Sequence, residues 1–102
     1  MYNHLNYYKP ITYSIIKHGI IGLTKYISSY WGAQGVRCNT IAPGGVFNNQ
    51  DKKFIEKIKK EIPMKRMANL EDFNGMIIYL MSDMSKYTNG ALISIDGGRT
   101  II

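Results

Sequence analysis

The chain has 102 residues, a formal net charge of +6 and 45% hydrophobic residues, which suits one small domain with a modest core. Its one cysteine, Cys38, excludes an internal disulfide, and no cysteine–histidine cluster points to a metal site. The longest apolar run, MIIYLM at 76–81, is too short to span a bilayer, and the N-terminus lacks an apolar signal core, so a cytoplasmic location and no membrane partner are expected.

Residues 1–10 are polar and tyrosine-rich and end at Pro10, which disfavours helix just before it. They read as a leading loop. A long helix is predicted over 12–34, where Ile16, Ile20, Leu23, Ile27 and Tyr30 recur at helical spacing, flanked by Ile15, Tyr26 and Trp31. Gly19 and Gly22 each cost about 1 kcal/mol relative to alanine inside a helix, so their presence points to close approach by another helix or a backbone. Gly32 and Gly35 are stop signals.

Residues 36–42, VRCNTIA, then read as a short strand ended by Pro43, Gly44 and Gly45. Helix, glycine turn, strand and Pro-Gly loop are the syntax of an α/β fold. Ligands in such folds bind outside the carboxyl ends of the strands, which suits the loop at 43–50 to a ligand; the plainer reading is a surface connection.

Seven of the thirteen basic residues fall between Lys52 and Arg66. There Phe54, Ile55, Ile58 and Ile62 mark one helical stripe and lysines occupy the rest, up to Pro63. A solvated helix face explains this charge better than a phosphate-binding patch, so no nucleic-acid partner is expected. A third helix is predicted over 70–82, with Asn69 as N-cap and Glu71 and Asp72 favourable in its first turn. It should bury Phe73, Met76, Ile77 and Leu80. After an Asn89-Gly90 turn, residues 91–95 form a second strand closed by Asp96, Gly97 and Gly98.

The first helix carries the chemistry. Tyr13 and Lys17 are four residues apart, on one helical face and about 6 Å apart along the axis. A free phenol is a poor base at neutral pH, and an ammonium one turn away favours the phenolate form. Such a pair can exchange a proton with a substrate hydroxyl or carbonyl. The ammonium also has three donors with which to hold a cofactor's sugar hydroxyls.

Several pieces agree with that pair. They are YSIIK at 13–17, GIIGLTK at 19–25, GVRCNTIAPG at 35–44, PMKRMA at 63–68, Glu71-Asp72, LMSD at 80–83, Gly90 and DGG at 96–98. In this order they closely resemble the C-terminal part of the short-chain dehydrogenases/reductases, from about residue 11 to the end of the chain. The resemblance implies an α/β fold: the C-terminal portion of a Rossmann-like doubly wound parallel sheet, with three helices and two strands, in a single partial domain over 1–102. It implies an NAD(P)-dependent oxidoreductase that transfers hydride at the alcohol or carbonyl of a small molecule, in a homo-oligomer. Tyr13 would be the general acid/base, and Lys17 would hold the nicotinamide ribose. Pro43 and Gly44 would start the loop under the nicotinamide ring, and Val46 would meet the carboxamide through its backbone. Asn48 stands where the family often has a threonine that helps hold the cofactor pyrophosphate. The stretches 10–26 and 43–50 look most like members that act in bacterial surface-sugar biosynthesis.

The family binds its dinucleotide, NAD or NADP, on an N-terminal half whose glycine-rich phosphate turn follows the first strand. None of the glycines here opens a helix after a strand, and residues 1–12 hold no serine to stand for the family's catalytic serine. The reading is therefore that the dinucleotide-binding half is absent and the isolated chain is inactive. The alternative to an enzyme is a truncated remnant or interaction module that docks on a full-length homologue. The strand at 36–42, with an open edge, should leave the isolated chain marginally stable or associated.

Overall fold

In the computed structural model, residues 11–101 are described. The leading loop expected at 1–10 lies outside them. The order is helix α1 (Ile11–Trp31), strand β1 (Thr40–Pro43), helix α2 (Lys52–Glu61), helix α3 (Asn74–Met81) and strand β2 (Leu92–Ile95). β1 and β2 pair in parallel, so the chain is α/β with three helices and a two-stranded sheet. The chain divides into two compact units. The first holds α1 and its following turn up to Thr40, together with Asn89–Ala91. The second holds Ile41–Thr88 and Leu92–Ile102.

In the first unit, α1 ends three residues before the predicted limit. A single 3₁₀ turn, Gly32–Gln34, follows, and Gly35 closes it in the left-handed region at φ 85°. The packed face of α1 is not the predicted apolar stripe. Thr24 is the buried residue of the helix. Its hydroxyl donates to the Ile20 carbonyl at 2.8 Å and touches the hydroxyl of Thr40. One turn on, the Ser28 hydroxyl donates to the Cys38 carbonyl at 2.9 Å. Ile16 (61% exposed), Leu23 (57%) and Tyr30 (62%) face outward. Nor does anything described approach Gly19 or Gly22: a Cβ built on either meets no atom within 4 Å.

The predicted strand at 36–42 is shorter at its start and one residue longer at its end. Cys38 spends its backbone elsewhere: its N–H donates to Asn89 Oδ1 at 2.9 Å, and its carbonyl accepts from Ser28 and from the Gly90 N–H. The ladder begins with the Thr40 N–H donating to the Ala91 carbonyl. The Ala91 N–H donates to Asn39 Oδ1, so β2 starts at Leu92. Further along, the Gly44 N–H donates to the Ile95 carbonyl. Donors to β2 thus fall on even-numbered residues, and the N–H that Pro43 lacks falls on the other edge.

The buried apolar side chains among the described residues are Ile62, Met67 and Phe73, all in the second unit. α2 stops at Glu61 because Ile62 precedes Pro63 and takes extended geometry, φ −103° and ψ 123°. Ile62 is buried and Ile55 and Ile58 are half-buried, whereas Phe54 at the start of the same stripe is exposed. The third predicted helix splits into a 3₁₀ turn, Leu70–Phe73, and α3. Asn69 and Asp72 form the capping box that tightens this first turn. Of the four residues expected to be buried here, Phe73 is buried, Met76 and Leu80 are half-buried, and Ile77 is exposed. α3 is apolar around most of its circumference, and a helix of two turns cannot turn every such residue toward one core.

Candidate functional site

Tyr13 and Lys17 lie in the first turns of α1. Helical spacing brings them together as expected, with Lys17 Nζ 5.4 Å from the centre of the Tyr13 ring. Tyr13 is half-buried and Lys17 is exposed. An ammonium at that distance acts on the ring electrostatically and keeps its donors for a ligand. Beside them, His18 Nδ1 lies 2.8 Å from the Ser14 carbonyl oxygen, which ties the imidazole back to the helix.

Pro43 ends β1, and Gly44, Val46 and Asn48 lie on the loop that leaves its carboxyl end, in the second unit. Gly44 is required by close approach: a Cβ there would sit 2.8 Å from both Cα and Cβ of Asp96. Asp96 is itself fixed, because its carboxylate accepts from the Thr100 hydroxyl at 2.7 Å and the Gly98 N–H at 3.0 Å. Those bonds, the Thr100 hydroxyl first, hold its pKa below the ordinary aspartate value.

The loop then runs extended beside residue 68. Val46 and Ala68 form a parallel bridge, in which the Ala68 N–H donates to the Gly45 carbonyl at 2.9 Å and the Phe47 N–H donates to the Ala68 carbonyl at 2.8 Å. Asn49 reverses the chain in the left-handed region, φ 54°, a conformation asparagine tolerates. Gln50 thereby folds back on the loop. Its Oε1 accepts from the Asn48 N–H and its Nε2 donates to the Val46 carbonyl, both at 2.8 Å. The segment after the bridge is anchored by Arg66, which donates to both carboxylate oxygens of Asp72 at 2.7 and 3.2 Å.

The structure therefore brings together Tyr13 with Lys17 on α1, and Gly44, Val46 and Asn48 on the loop that follows Pro43. Gln50 is the residue that sequence reasoning missed. Its signal was a side-chain amide four positions after Val46, just past an Asn-Asn pair that can turn the chain.

Comparison with known proteins shows the family of the chain. The family model described as enoyl-(acyl carrier protein) reductase matches residues 3–100. The chain belongs to the short-chain dehydrogenase/reductase family. It is 37% identical over 92 residues to the 2-dehydro-3-deoxy-D-gluconate 5-dehydrogenase of Bacillus subtilis, covering 84% of this chain and 36% of the relative. It is 34% identical over 97 residues to the post-translational flagellin modification protein A of Campylobacter coli, covering 95% of this chain and 38% of that one. Among solved structures, a short-chain dehydrogenase from Leptospira borgpetersenii with bound NAD+ superposes with a TM-score of 0.88 and 40% identity, over 96% of this chain and 39% of the other. The chain thus spans less than two fifths of the length of these relatives.

Proposed function

We propose that the chain carries the proton-transfer helix and nicotinamide loop of an NAD(P)-dependent dehydrogenase acting on a sugar or sugar-acid alcohol. The observation that carries this reading is the Lys17 ammonium 5.4 Å from the Tyr13 ring. Relatives that include dehydrogenases of sugar derivatives support it. When bound, the nicotinamide cofactor takes up or delivers the hydride. Tyr13 Oη removes the substrate's hydroxyl proton in the oxidative direction and returns it to the carbonyl oxygen in the reductive one. Lys17 holds the negative charge that develops on that oxygen and bonds the nicotinamide ribose. Val46 and Asn48 present a backbone acceptor and a backbone donor that fit the nicotinamide carboxamide. This reading includes a role in bacterial surface-sugar biosynthesis, and one similar protein, from Campylobacter coli, is named for the modification of flagellin. The 102 residues contain no glycine-rich phosphate turn, so we assign the dinucleotide's phosphates to another stretch of polypeptide and expect these residues alone to be inactive.

The test is oxidation of a panel of aldonic acids, deoxysugars and polyols with NAD+ or NADP+ by the protein together with the polypeptide that supplies the dinucleotide's phosphate site, followed by the absorbance of the reduced cofactor. Tyr13→Phe should lower kcat by about 10²–10⁴-fold and leave cofactor affinity within a factor of about two. Undiminished turnover in Tyr13→Phe would remove Tyr13 as the acid/base. A second reading, favoured by the outward apolar stripe of α1, is a docking module that binds a full-length homologue. Under it, Tyr13→Phe leaves docking intact and no substrate is turned over.

A further inference from the structure

The loop after β1 has two hydrogen-bonding edges. One edge offers the Gly45 carbonyl and the Phe47 N–H, and Ala68 takes both. The other offers, one residue on, the Val46 carbonyl and the Asn48 N–H. In extended backbone these two groups point the same way, away from Ala68. The Gln50 side chain takes both, at 2.8 Å each. Its assignment is unambiguous, because a carbonyl can only accept and an N–H can only donate. A primary carboxamide fits this edge because it carries one acceptor oxygen and an NH₂ donor in one plane. A carboxylate would satisfy the Asn48 N–H and leave the Val46 carbonyl facing another acceptor.

The nicotinamide ring carries the same primary carboxamide. With this edge as the carboxamide clamp proposed above, we infer that Gln50 is its built-in occupant, a latch the nicotinamide carboxamide must displace. This rests on the reading of the loop as the nicotinamide loop. Gln50 is not a catalytic residue; it sets how much of the free protein has the clamp open. Asn49 supplies the reversal that lets Gln50 reach back, in the left-handed region at φ 54°. The latch keeps the loop ordered without cofactor, at the expense of affinity. An apparent dissociation constant is the intrinsic one divided by the open fraction, so a latch closed about nine-tenths of the time weakens binding about tenfold.

The experiment measures binding of NAD+ and of its carboxylate analogue, nicotinate adenine dinucleotide, to the full-length protein by calorimetry. The variants are Gln50→Met, which keeps the length and loses the amide, and Gln50→Ala. NMR in parallel follows the Asn48 N–H and the Gln50 side-chain NH₂. Both variants should bind each dinucleotide about three- to tenfold more tightly, with the carboxylate analogue weaker than NAD+ throughout. In the wild type, NAD+ should shift the Gln50 NH₂ signals toward their solvent-exposed positions while the Asn48 N–H stays protected. Three results overturn the clamp and latch but leave the functional reading standing: NAD+ bound with unchanged or weaker affinity in both variants, Gln50 signals unmoved by bound NAD+, or equal affinity for both dinucleotides in every variant. No binding of either dinucleotide to any variant overturns both.

Discussion

Gly44 and Gly45 are adjacent, yet the structure asks different things of them. A side chain at Gly44 would meet the Cα of Asp96 at 2.8 Å, and backbone cannot step aside without disturbing the turn that Asp96 organises. A side chain at Gly45 would meet the Met67 methyl at 3.2 Å, the far end of a flexible side chain. Gly44→Ala should therefore cost about 1–3 kcal/mol, and Gly45→Ala distinctly less, in urea denaturation. Equal losses would show that the Asp96 contact does not constrain the loop. At the same scale, Asp72 is held from the ordinary 3.8 to about 2, first by its hydrogen bond from Arg66 and then by the Asn69 N–H. The folded value lies below the unfolded one, so the unfolded chain binds more protons as the pH falls through this range. The contribution is complete above 3.8 and fades toward about 2. The pair is solvent-exposed in part, so the effect is modest. Asp72→Asn should flatten the acid limb of the stability curve in that window, read as denaturation midpoint against pH. An unchanged limb would assign the titration to another group.

Among the elements, α2 shows how far a hydrophobic pattern reaches. Its lysines and its isoleucine stripe were legible because a helix on a surface separates the two by its 3.6-residue period. Its end was legible because Pro63 restricts Ile62. Replacing Lys53 and Lys57 by glutamine should move the thermal midpoint by the equivalent of less than about 0.5 kcal/mol, whereas Ile62→Ala should cost about 2–5 kcal/mol. A large loss from the lysines would mean that their face is held by something other than water. α1 was equally legible as a helix with an apolar stripe. Periodicity locates an apolar stripe, but it does not say whether the described chain covers it. The face that packs is marked instead by Thr24 and Ser28, small polar residues whose hydroxyls complete backbone bonds. β1 was read too long at its start because the backbone of Cys38 bonds to the Asn89 side chain and the Gly90 turn, partners fifty residues away in sequence. Tyr13 and Lys17 were legible because their contact is local to one helix. The Gln50 contacts were not, because the Asn-Asn pair marks where the chain can turn and not which side chain then folds back.

At the scale of the whole molecule, the described chain buries few apolar side chains. Those that are buried lie in the second unit, and in the first unit the buried residue is a threonine. α1 meanwhile turns Ile15, Ile16, Leu23 and Tyr26 to the outside, and at its end Tyr26, Tyr30 and Trp31 form an exposed ring cluster with Tyr30 and Trp31 centred 4.7 Å apart. Burying an isoleucine or leucine side chain contributes about 1.5–3 kcal/mol relative to leaving it in water. A contiguous row of such side chains on one helix therefore favours association strongly, and Gly19 and Gly22, open on both counts, leave room for a partner backbone to come close. We expect this face to be covered by protein in the working molecule, either by another stretch of the full polypeptide or by a second subunit. Leu23→Lys with Ile16→Lys places two charges in that surface while leaving Thr24 and Ser28 untouched. Sedimentation of the double variant should show a lower association state than the wild type, or, if the cover is intramolecular, a monomer whose melting temperature has dropped by several degrees. A variant that keeps both the association state and the melting temperature of the wild type would show that the row faces water in the working protein, and the docking reading would fall with it.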